Sequence, residues 1–247
     1  MLRPGFLAAA ASLALAVSLL APRPAASAAV PAHLIWAVDL VSTISPANNS
    51  YGDPTAIQWK NVDGAVSSNT SVCATFVTTL FKRAYGLADA DFTAWFGSTS
   101  PYAEVYHAAV VAGNGFSRIQ KVADIQAGDL IAIDYRDAGT STGHVAIASS
   151  APINGTPVTV NGVSLKRYDL WIIDSSKNYH GTQDSRYKFK DGTTPDTGVG
   201  EGVMRIFADA VTGEVAGHTW SNANGSTFYA QPDLMGSTGR HLVIGRL

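Results

Sequence analysis

The hydrophobic period of this chain changes once, and that change limits its fold more than any single residue does. Over residues 71–84 apolar side chains recur at Phe76, Val77, Leu80, Phe81 and Ala84, the 3.6-residue stripe of an amphipathic helix. Thr70 or Ser71 is placed to cap its start, Lys82 and Arg83 sit in its last turn, and Gly86 ends it. A second helix is expected within 101–112, and a strand or helix around 34–40. After that the pattern breaks into short apolar runs at 129–135, 145–148, 168–173 and 203–207, bounded by Gly, Asp, Asn and Ser. These read as strands separated by turns, with Trp220 and 241–244 supplying late ones. Helices first and strands after them predict an α+β domain with a mostly antiparallel sheet.

The chain has 247 residues, enough for one sizeable core. Hydrophobic residues make up 46% and charged residues 15%, which excludes a disordered chain. A formal net charge of −2 offers no basic surplus to draw the protein onto nucleic acid or acidic lipid. There is no internal repeat and no linker; 192–202 is rich in Gly and Thr and reads as a loop. At the N-terminus, Arg3 precedes an apolar run at 7–21, then Pro22-Arg23-Pro24 and Ala26-Ser27-Ala28. That is the order of a secretory signal, and the run falls short of the ~20 apolar residues a spanning helix needs. A cleaved signal over 1–28 and a single mature domain over 29–247 are expected, secreted or periplasmic, with no stable membrane span.

One cysteine, Cys73, then stands alone in an apparently exported chain. It has no internal disulfide partner, so it is either a small buried hydrophobe or a reactive thiol. Its place in the first turn of the clearest helix favours an anion there, because those backbone N–H groups lack intrahelical partners. The same placement lowers a thiol pKa and offers donors to an oxyanion. Cys73 also lies on the apolar face, three residues before Phe76, as a core residue would.

A thiol nucleophile needs a base. Among His33, His107, His144, His180, His218 and His241, His144 stands apart: it follows Gly143 and opens the strand Val145-Ala146-Ile147-Ala148. The run Leu170-Trp171-Ile172-Ile173 ends in Asp174. If that strand pairs beside the His144 strand, Asp174 can hold the second imidazole nitrogen, as the third member of a triad does. It reads equally as the start of a turn. The segment Asn178-Tyr179-His180-Gly181, with Asp184 and Arg186, either lines a cleft or forms a solvated loop. Gly198-Val199-Gly200-Glu201-Gly202 lacks the full dinucleotide fingerprint, and no Cys/His cluster has zinc spacing. No metal or other cofactor is expected.

Thr70-Ser71-Val72-Cys73-Ala74-Thr75-Phe76-Val77 resembles the helix start of NlpC/P60 cysteine peptidases. Ala127-Gly128-Asp129-Leu130-Ile131 and Gly143-His144-Val145-Ala146-Ile147 resemble the paired strands of the same enzymes. The resemblance spans 49–174. It departs at Val72, where the family has aspartate, at Ala74-Thr75, where it has Ser-Gly, and at Asp174, where it more often has His, Asn or Gln. It implies a papain-like arrangement, a nucleophile helix packed on the sheet, with Cys73, His144 and Asp174 as triad. It further implies Tyr51 at the oxyanion and a peptide amide of cell-wall peptidoglycan as substrate. His180 and Arg186 are candidates to contact that substrate, Arg186 through a carboxylate. A thiol acyltransferase or amidase acting elsewhere, and a non-catalytic binding module, remain as alternatives.

Overall fold

A computed structural model describes residues 29–136, 141–187, 195–231 and 239–247. The expected signal segment at 1–28, and 192–194 of the expected loop, lie outside them. Helix α1 (Ala32–Thr43) leads into a small sheet of β1 (Ile44–Tyr51), β2 (Ala56–Gln58) and β3 (Ser67–Ser71), with β1 parallel and β2 antiparallel to β3. Helix α2 (Cys73–Tyr85) follows one residue later, then α3 (Asp89–Phe96) and α4 (Ala103–Ala112). The remainder is mostly strand: β4 (Ser117–Ile119), β5 (Leu130–Tyr135), β6 (Gly143–Ala148), β7 (Ile153–Val160), β8 (Val163–Ser176), β9 (Gly198–Asp209), β10 (Val215–Thr219), β11 (Phe228–Ala230) and β12 (Arg240–Arg246). The α+β class matches the change of period.

The large sheet is antiparallel throughout, in the order β11-β10-β9-β8-β6-β5-β12-β4, with β7 paired to the first half of β8. It curls until β11 comes up to β12. The Gln231 side chain, just after β11, donates from Nε2 to the Leu242 carbonyl of β12 at 2.5 Å and accepts from the Leu242 N–H. Along β5 and β6 the side chains alternate between two cores, as the two-residue period of a strand requires. Leu130, Ala132, Val145 and Ile147 pack with Leu34, Phe76, Leu80 and Tyr106 of the helices. Ile131, Ile133, Ala146 and Ala148 pack inside the curl with Leu170, Met204, Ile206 and Leu242.

Helix α2 begins at Cys73, not at Ser71. The chain stays extended through Ser71 to pair with Tyr51, so the cap moves to Val72, whose backbone N–H donates to Thr75 Oγ1 at 3.2 Å. Ser71 Oγ instead donates to Asn69 Oδ1 at 2.6 Å. Gly86 ends the helix as expected, in the left-handed conformation with φ 66°. Three other expectations change. Residues 198–202 are the first half of β9 and not a loop. Trp220 follows β10 and lies outside any strand. Asp89–Phe96 forms a helix that had not been anticipated.

Candidate active site

The two halves meet where β6 and β8 part. These strands pair only at Ile147–Ile173 and Ala148–Ile172. Beyond that, the N-terminus of α2 comes up to the sheet. Three hydrogen bonds hold this region there. Ser175 Oγ of β8 donates to the Ser71 carbonyl at 2.8 Å, and Asn49 acts as a substitute peptide group for β9. Asn49 Nδ2 donates to the Val199 carbonyl at 2.7 Å, and its Oδ1 accepts from the Val199 N–H at 2.9 Å.

Cys73 thus lies against His144, each keeping 7% of its surface exposed. Burial alone pushes the thiol up. The His144 charge, a side-chain hydrogen bond with that ring and the Val145 backbone N–H outweigh burial and hold it below its ordinary value. The opposite holds for the base. Burial lowers His144, but the Cys73 charge, the hydrogen bond to Asp174 and the hydrogen bond to Cys73 raise it to about 9. Nε2 of His144 donates to Asp174 Oδ2 at 2.7 Å, which leaves Nδ1 as the nitrogen for the thiol. The expected neighbours Cys73, His144 and Asp174 are therefore brought together.

Asp174 has no exposed surface. Burial would push its carboxyl up, yet the Arg186 charge, the His180 charge and hydrogen bonds from His144 and His180 hold it well below the carboxylate range. His180 Nε2 lies 2.9 Å from the same Oδ2, and Arg186 Nη1 lies 2.8 Å from Oδ1 as an ion pair whose alignment misses that of a hydrogen bond. Arg186 is itself fixed. Its Nε and Nη2 donate to the two Asp184 carboxylate oxygens at 2.9 and 2.7 Å, and Nη1 donates to the Gly198 carbonyl at 3.0 Å. Arg186 and His180 are each 1% exposed. Neither lines a substrate cleft, because burial and committed donors turn both toward Asp174. The segment that reads as a solvated loop is the buried support of the carboxylate.

Strand β9 makes room for that support. Gly200 pairs with Asp174 and Gly202 with Ile172, so Gly198, Gly200 and Gly202 leave one face of the strand bare. A Cβ on Gly200 would stand 2.6 Å from Arg186 Nε, and one on Gly202 would stand 2.4 Å from Asp184 Oδ2. Gly200→Ala will therefore push the guanidinium off Asp174. We expect a loss of about 1–3 kcal/mol in urea unfolding, the ordinary cost of overpacking a filled site.

Tyr51, at the end of β1, is half-buried and held to about 12 by burial and by the charges of Cys73, Asp53 and Asp174, so its phenol stays protonated beside the thiol. Trp220 covers the histidines, with ring centroids 4.8 Å from His144 and 4.4 Å from His180. His218, also buried, is lowered to about 3 by burial, then by Arg240, His144 and His241, and stays neutral near the site. The ligand atoms of His144, Asp174 and His180 lie within 4.8 Å of one another. Their nitrogen–oxygen distances are nonetheless those of hydrogen bonds, and Arg186 puts a fixed positive charge on the same carboxylate, which opposes a metal cation between them.

The chain is 28% identical over 229 residues to an uncharacterised protein of Acanthamoeba polyphaga mimivirus, an alignment covering 88% of this chain and 96% of that protein. No family model matches the chain. No solved structure matches it. No helix among the described residues is long and apolar enough to cross a membrane.

Proposed function

We propose that this chain is an exported cysteine peptidase or amidase with a papain-like, NlpC/P60-type site. The observation that carries the reading is a thiol at a helix N-terminus, held below its ordinary value by an adjacent imidazole whose Nε2 donates to a buried carboxylate. Cys73 Sγ attacks the amide carbonyl carbon as thiolate. The Cys73 backbone N–H, which has no intrahelical acceptor, and the Tyr51 phenol donate to the oxyanion. The C–N bond breaks as His144 gives its proton to the departing amine, leaving a thioester on Cys73. Water, deprotonated by His144, then attacks the thioester and returns the thiol. Asp174 keeps Nδ1 of His144 directed at sulfur throughout.

The substrate follows from the resemblance and from the secretory signal: a peptide amide in the stem or cross-link of bacterial peptidoglycan, met outside the cytoplasm. The net charge of −2 offers no basic surplus for nucleic acid or acidic lipid. Purified protein incubated with intact sacculi and with isolated stem peptides, read by mass spectrometry, should open an amide bond, and Cys73→Ala should open none. If instead a small thioester or lipid amide is turned over through Cys73, the protein is an acyltransferase. If no substrate acylates Cys73, it is a binding module.

A further inference from the structure

Asp174 is held by more donors than a triad needs, and one of them is a second imidazole. His180 Nε2 lies 2.9 Å from Asp174 Oδ2, and its Nδ1 lies 2.5 Å from the Trp220 carbonyl oxygen. A carboxylate and a carbonyl are both acceptors only, so the ring satisfies both contacts only with a proton on each nitrogen. The segment carrying it is locked: the His180 backbone N–H donates to Asp184 Oδ2 at 2.7 Å, and Trp220 lies over the ring. We propose that His180 is a positioning residue whose ring donates from both nitrogens, to the Trp220 carbonyl and to the Asp174 Oδ2 it shares with His144, and so weakens the hold of the carboxylate on the base. This rests on the reading of Cys73 and His144 as nucleophile and base.

Asp174 then faces two cations beside His144: His180 from the segment after β8, and Arg186 from the turn that Asp184 anchors. The other groups that act on the pair are Cys73 from α2, Tyr51 at the end of β1 and His218 from β10. Arg186 alone offsets the charge of Asp184, which accepts both of its outer donors. Among the described residues Asp174 is the one carboxylate hydrogen-bonded to the His180 ring, so the effect of His180 passes through Asp174 to His144.

Two measurements test this, and the first does not depend on the proposed activity. Long-range nitrogen–proton NMR of the histidine rings, assigned with His180→Gln, should show both ring nitrogens of His180 protonated at pH 7. A bare nitrogen on His180 overturns the proposal. The second is the rate of Cys73 alkylation against pH in wild type, His180→Gln and His180→Ala. Gln keeps a donor toward Asp174 and removes the charge, so the thiolate midpoint should rise by about one pH unit in both variants, because Asp174, less opposed, raises both His144 and Cys73. A role in folding alone would lower melting temperature and leave the midpoint of the folded protein unmoved, which also overturns it. If Cys73 alkylates no faster folded than denatured in wild type, the catalytic reading fails, while the NMR result still decides the state of His180.

Discussion

Replacing His144 with alanine will slow alkylation of Cys73 at pH 7 by roughly 10- to 100-fold, because burial and the Asp174 charge then act on the thiol without the imidazolium that holds it down. The physical cause is the pairing of two buried groups that burial alone would keep neutral. Each gains from the charge of the other, so the thiolate–imidazolium pair occupies the interval between the depressed thiol and an imidazole held to about 9. Turnover should rise as pH climbs through the lower edge. It should fall above pH 9, where His144 no longer carries the proton the leaving amine requires. His144 is raised from 6.5, so its own contribution to stability is complete below 6.5 and fades as pH rises through 9. An alkylation profile in His144→Ala that overlays wild type would remove this residue from the chemistry.

The largest loss of stability is expected at Arg186. Alanine there leaves Asp184 buried with no cation and Asp174 with the two imidazoles alone, and uncompensated buried charge costs about 3–5 kcal/mol. Urea unfolding at pH 7 should show it, with partial recovery as pH falls and the carboxylates can protonate. Lysine should recover less than its charge suggests, since it cannot reproduce the paired donors from Nε and Nη2 to Asp184. A variant as stable as wild type would mean that Asp174 is solvated, against its complete burial.

The parts of this molecule that were readable beforehand obey one local rule each. Helix α2 follows from its apolar stripe, β5 and β6 from short apolar runs between turn residues, and the meeting of His144 with Asp174 from two strands that end in polar side chains. What was not readable depends on two segments at once. Gly198, Gly200 and Gly202 recur at the two-residue period of a strand, yet glycine is also the commonest mark of a loop. Only the side chains packed against them, Asn49 on Gly198, Arg186 on Gly200 and Asp184 on Gly202, tell the two apart. Likewise His180, Asp184 and Arg186 carry the composition of a wet loop, and their burial follows from charge pairing with a residue on another strand. The cap of α2 slipped to Val72 because pairing with β1, a tertiary demand, overrode the preference of Thr70 and Ser71.

The bonds that bring Cys73 to its partners span much of the chain. Asn49 reaches Val199 across 150 positions, and Ser175 reaches Ser71 across 104. Contacts of such range close late in folding, after the local helices and hairpins have formed. A nascent or locally opened chain therefore carries an ordinary thiol, remote from the imidazole that would ionise it. On the proposed reading, labelling of this single cysteine should quicken only as these long-range bonds close, and its rate should then follow global folding.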